Sequence, residues 1–188
     1  SALQVLGTVG DASTLEILLA AANDRDRDVA QAAKDALATL NDPAVEDAIK
    51  KRLSSSQGED RRVLIETIGS RRIGAIADLL DATDDADPTI RAAALTALGE
   101  TVGPEELSQL IVRFTQPQHT SDVETAQRAL TIASTRMPDR DACATELADA
   151  MSGQSLATQS ALIEILGSVG GAQALETVAR RRRTIMMH

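Results

Sequence analysis

Few side chains in this sequence carry the chemistry of catalysis or metal binding, and those few are scattered. The histidines are His119, in a stretch that also holds Pro117, and His188, the last residue; the lone cysteine is Cys143. His119 has no nucleophile near it in sequence. Cys143 falls on an apolar helical stripe with Leu147 and Met151, where inert buried thiols are found. One cysteine excludes an internal disulfide, and with two histidines it is poor material for a Cys/His zinc site. No catalytic, cofactor-binding or metal-ligating residue is therefore assigned, and no cofactor is expected.

The acidic clusters have a simpler use than metal binding. Asp24, Asp26 and Asp28 alternate as the first ligands of a calcium loop do. Such a loop needs Gly at its sixth position and Glu at its twelfth, where this chain has Val29 and Asp35. Helix capping and a solvated turn account for these aspartates. Asp81, Asp84, Asp85 and Asp87 read the same way, as carboxylates favoured by the positive end of a helix dipole. Basic residues also cluster: Lys50, Lys51 and Arg52, then Arg61 and Arg62, Arg71 and Arg72, and a run at 180–183. A formal charge of −9 opposes generic binding to phosphate backbones, so these read as solvated faces near helix ends.

The elements that position these groups are short helices. In 87–100, DPTIRAAALTALGE, Asp-Pro opens a helix, Ile90, Ala93, Ala94, Ala97 and Leu98 return on one face, and Gly99 is expected to end the run. Equivalent positions recur at Gly7, Ala38, Gly69, Gly99, Thr131 and Gly167, so the period is near 31 residues, enough for two helices and two turns. Asp11 and Asp42 are expected N-caps, with Pro43 at the first helical position. No sustained alternation or β-branched cluster signals a strand. The chain is 43% hydrophobic, its only aromatic residue is Phe114, and its core is expected to be Ala, Leu, Ile and Val. No run of about 18 apolar residues is present to span a membrane.

The reading is an all-α array of about five helix pairs with a half repeat at each end: 1–10, then 11–41, 42–72, 73–103, 104–137 and 138–170, then 171–188. It begins in mid-pattern without an initiator Met, and neither end carries the polar cap of a finished array. A piece of a longer protein is expected, and its uncapped ends open a route to oligomers.

Proline-started helices followed by (Val/Ile)-Arg-x-Ala-Ala-x-x-Ala-Leu-Gly, strongest over 87–103, resemble HEAT repeats. The nearest subtype is the short, roughly 30-residue HEAT-like repeat also seen in phycobilin lyases. The resemblance implies a right-handed α–α superhelix, a HEAT-like solenoid with first helices on the convex face and second helices lining the concave face. It implies that Arg61 and Arg91 lie between repeats, bonding carboxylates or carbonyls at helix ends. It also implies a non-catalytic protein–protein interaction scaffold. One alternative is a module of an enzyme or enzyme partner of the bilin-lyase type. Another is a DNA-binding solenoid resembling the alkylpurine glycosylases, which however use aromatic residues around the lesion.

Subtracting the core positions from the second helices leaves the residues expected to face a partner along the concave side. They are Gln31, Lys34 and Asp35; Arg62, Ile65 and Glu66; Leu95 and Thr96; Gln127 and Arg128; Ile163 and Glu164. Ile65, Leu95 and Ile163 flanked by charges would make a peptide-binding strip. The expected partner is a protein or peptide, with neither nucleic acid nor membrane.

Overall fold

The computed structural model describes residues 2–40 and 44–186, and their side chains except those of Gln4, Val9 and 180–186. Asp42, Pro43, His188 and the 180–183 basic side chains therefore lie outside the described residues. The helices are α1 (Ala2–Val9), α2 (Leu15–Ala22), α3 (Arg27–Thr39), α4 (Ala44–Leu53), α5 (Gly58–Arg71), α6 (Ile76–Ala82), α7 (Pro88–Thr101), α8 (Leu107–Thr115), α9 (Val123–Arg136), α10 (Arg140–Asp149), α11 (Leu156–Val169) and α12 (Ala172–Met186). Short 3-10 turns at Ala12–Thr14 and Thr120–Asp122 lead into α2 and α9. Among the described residues there is no strand.

The start signals act as their chemistry requires. Asp11 Oδ1 accepts from the Ser13 N–H, and Asp26 Oδ1 from the Asp28 N–H, each at 2.9 Å. Asp87 Oδ1 accepts from Thr89 at 2.8 Å, and Asp139 Oδ1 from Ala142 at 2.9 Å. Each carboxylate satisfies an N–H that the helix itself cannot. At the other end of α5, Arg72 takes φ 54°, and the Ile73 N–H returns to the Ile68 carbonyl at 3.0 Å. That is a left-handed helix stop closed by a buried isoleucine.

Helices of seven to fifteen residues are marginal alone in water, so tertiary packing must hold them. On α2 the buried stripe is Leu15, Leu18, Leu19 and Ala22; on α8 it is Leu107, Leu110, Ile111 and Phe114. Each fully buried Leu or Ile contributes on the order of 1.5–3 kcal/mol. The chain divides into two compact units, Ser1–Ala97 and Leu98–His188, the boundary falling inside α7. Within the first, α3 packs on α1, α2 and α5, and α4 packs on α5. Within the second, α9 packs on α8 and α11, while α10, α11 and α12 pack on one another. In both units a first helix covers its own second helix, and second helices lie side by side.

The recurring glycine does not end its helix. Helix α5 continues to Arg71 and α7 to Thr101, leaving Gly69 and Gly99 buried in their last turns. A Cβ on Gly69 would stand 2.9 Å from Ala97 Cα, and one on Gly99 would stand 2.8 Å from Ala129 Cα. At Gly7 the neighbour is Ala36 Cα, also at 2.8 Å. The glycine is there because the next second helix passes too close for any side chain.

Candidate functional site

Only part of the expected partner-facing row is at the surface. Ile65 is 0% exposed and Leu95 3%, so both belong to the core and the apolar strip they were to form is absent. The register explains the error: α5 buries Val63, Leu64, Ile65, Thr67, Ile68 and Gly69, a face too wide for one stripe. A second helix is covered both by its own first helix and by neighbouring second helices, so extra positions go inside. Ile163 is half-buried, and Gln31, Asp35, Thr96, Arg128 and Glu164 are exposed.

The surface that remains is polar and cross-linked. On α3, Gln31 donates to Asp35 at 2.8 Å. Lys34 reaches across to Glu66 on α5 at 3.2 Å, and Glu66 also takes the Arg62 guanidinium. Arg62 donates in turn to Glu59. A chain of alternating charge, Lys34–Glu66–Arg62–Glu59, thus spans two neighbouring second helices. Its chemistry follows from that order: the Arg62 hydrogen bonds hold the Glu59 carboxyl below the usual range, and Glu59 raises the Arg62 guanidinium. Glu59 was not anticipated; its place three residues before Arg62 on a helix was the available signal. Within the second unit, α9 carries Gln127 and Arg128, the latter with Glu124 at 3.5 Å, and α11 carries Glu164.

Most of the first basic cluster is engaged inside the protein. Arg52 is held by Glu16 at 3.0 Å and Asp60 at 2.9 Å, beside an open cleft of about 460 Å³ between α2 and α4. Arg61 pairs with Asp81 at 3.1 Å and Asp85 at 3.6 Å. Arg91 is buried and donates to the Asp85 and Ala86 carbonyls at 3.0 and 3.2 Å. Arg71 Nη1 donates to the Leu40 carbonyl at 2.6 Å and lies within 3.4 Å of the Leu37 and Ala38 carbonyls. Arg136 does the same to the Gly99 carbonyl at 2.9 Å. Arg61 and Arg91 hold the helix-end positions expected of them. Arg71 and Arg136 were not read this way, although each is the final residue of a second helix.

The structure also places the remaining candidates. His119 is exposed ahead of a 3-10 turn. Cys143 is buried, its Sγ directed at the Ser134 carbonyl at 3.8 Å, and burial pushes its thiol up. Asp26 caps α3, and Asp24 accepts from the Asp26 N–H at 2.8 Å. Among the described residues no group of three or more His, Cys, Asp and Glu is placed to hold a metal ion. No described helix is long and apolar enough to cross a membrane.

Paired short helices, an arginine seated between repeats and a glycine column along the second helices define an all-α repeat protein. A family model described as HEAT repeats matches residues 1–69 and again 46–131, and the chain belongs to the HEAT repeat family. A search of curated proteins gives no match. HEAT repeats commonly serve as protein-interaction scaffolds and are typically non-enzymatic.

Proposed function

We propose that this chain is a non-catalytic scaffold that binds a protein or peptide along the outer side of its second helices. The observation that supports it is the polar ladder from Lys34 through Glu66 and Arg62 to Glu59, which lays charged groups across two adjacent helices. Gln31, Asp35 and Thr96 are further polar positions on second helices of the first unit, and Gln127, Arg128, Ile163 and Glu164 lie on second helices of the second. With Ile65 and Leu95 inside the core, recognition is by hydrogen bonds and charge pairs rather than by an apolar groove. Such contacts set specificity and encounter rate more than raw affinity, so binding is salt-sensitive.

The test is site-specific photo-crosslinking in cells making the protein. Crosslinker at Asp35, Thr96 or Gln127 should trap one partner that crosslinker at Asp78 or Ser108, exposed on first helices α6 and α8, does not. Arg62→Glu should weaken that partner's binding. Trapping only from the first-helix positions would refute the assignment.

A further inference from the structure

The basic residues at the end of α4 border a cleft, and one of them is uncommitted. The cleft, about 460 Å³, opens between α4 and the turn that leads into α2. Its floor is carbon, from Ala12 and Leu15 on one side and Ala48 on the other. Its rim carries Glu16, Lys51 and Arg52. Arg52 already answers Glu16 through Nε at 3.0 Å and Asp60 through Nη2 at 2.9 Å. Lys51 is exposed and has no carboxylate partner among the described residues. Both α2 and α4 are first helices, so this is not the face proposed above for a protein partner.

A helix C-terminus ordinarily repels an anion, because its last carbonyls point outward unpaired. Here those carbonyls are occupied. Ser54 Oγ donates to the Lys51 carbonyl at 2.8 Å, Ser55 Oγ to that of Arg52 at 3.1 Å, and Ser56 Oγ to that of Leu53 at 2.8 Å. Ser54 and Ser55 also border the cleft. With the carbonyls satisfied, the ammonium of Lys51 is the charge that an arriving ligand meets at this end.

Size, floor and charge together select a class of ligand. Pockets for small molecules run from about 300 to 1,000 Å³, mostly apolar, with a few polar groups that fix orientation. A bare inorganic anion would leave the carbon floor uncovered, and a neutral hydrocarbon would leave Lys51 unanswered. A cation would meet two cations on a rim with one carboxylate. A dianion would press a second negative charge against Glu16, whereas a single charge matches the one uncommitted ammonium. From this we infer that the cleft between α2 and α4 binds a small amphiphilic monocarboxylate. Its carboxylate sits on Lys51 Nζ and on the Arg52 Nη1 that neither Glu16 nor Asp60 takes. Its aliphatic body covers Ala12, Leu15 and Ala48.

Sodium octanoate is the probe, titrated into the isotope-labelled chain to about 20 mM so that millimolar affinity is seen by NMR. Amide signals of Ala12, Glu16, Ala48, Lys51 and Ser54 should shift saturably, and those of α9 and α11 should stay still. Octanol, which lacks the charge, and inorganic phosphate, which lacks the tail, should each bind at least about tenfold more weakly. Lys51→Gln, at an exposed position and so expected to keep native circular dichroism, should weaken octanoate about tenfold or more, as loss of a charge-assisted hydrogen bond does. Lys51→Arg should restore it. Ala48→Met, which fills the floor, should weaken octanoate too, and Lys50→Gln, which does not border the cleft, should leave it unchanged. Octanoate that shifts no amide saturably overturns the inference. So do octanol or phosphate binding as tightly, a glutamate-rich peptide that displaces octanoate, or a folded Lys51→Gln chain with wild-type affinity.

Discussion

Gly99 lies beneath Ala129 so closely that a Cβ at residue 99 would stand 2.8 Å from the alanine Cα and 2.9 Å from its carbonyl oxygen. Neither atom is the loose end of a side chain, so neither can swing away. Gly99→Ala gains up to about 1 kcal/mol in helix propensity, but forcing α9 outward costs about 1–3 kcal/mol. Urea unfolding should show a net loss of stability. Gly167, with open space above it, should respond oppositely, Gly167→Ala gaining about 0.5–1 kcal/mol in dilute solution. Equal effects at the two sites would refute the close-approach account.

Arg91 is a buried cation whose partners include two carbonyls just ahead of α7. Arg91→Met keeps much of the packing but abandons the Asp85 and Ala86 carbonyls. Hydrogen bonds made by a charged group contribute about 1.5–3 kcal/mol, and a loss of that size is expected. Arg128→Met, on the exposed side of α9, should stay within about 0.5 kcal/mol of wild type. Thermal melts of the two variants separate a helix-end clamp from a solvated charge.

Acid should destabilise the protein through identified carboxylates. Hydrogen bonds from Thr89 lower the Asp87 carboxyl, and those from Arg62 lower Glu59. A lowered folded value means that the unfolded chain takes up the proton first. The stabilisation is therefore complete above the ordinary carboxylate range, about 4, and is lost as pH falls through the depressed values. Asp87→Asn should flatten the stability profile between about pH 5 and 2 relative to wild type. An unchanged slope would remove Asp87 from the account.

Cys143 should behave as a core residue. Burial raises its thiol, so alkylation by iodoacetamide at pH 8 should be slow in the native protein and fast after denaturation. The raised value also means that the unfolded chain ionises first. Stability then falls as pH climbs above the ordinary thiol value of about 8.5, and Cys143→Ala should lessen that fall. Rapid labelling of the folded chain would contradict its burial.

The helices were legible because their stop and start chemistry is local. Asp11 and Asp26 cap the segments that their positions announce, and the stripes on α2 and α8 are the ones that 3.6-residue spacing picks out. The candidate site was less legible because it depends on how many neighbours a helix has. Spacing alone assigned Ile65 and Leu95 to the surface, since it counts one buried face where α5 has contacts on several sides. The Lys34–Glu66 pair joins residues 32 apart and has no signature along the chain. The close approach at Gly99 was illegible for a related reason: a glycine late in a helix pattern looks alike whether it stops the helix or makes room for another.

The guanidinium of Arg71 closes the carbonyl end of α3 from outside that helix, and Arg136 does likewise for α7. Each helix terminus is thus finished by a residue belonging to its successor. If α5 frays, the last turn of α3 loses its donor at the same moment, and melting spreads backwards instead of halting at a repeat boundary. Local opening in such an arrangement is contagious, which ties the persistence of one pair of helices to the intactness of the next.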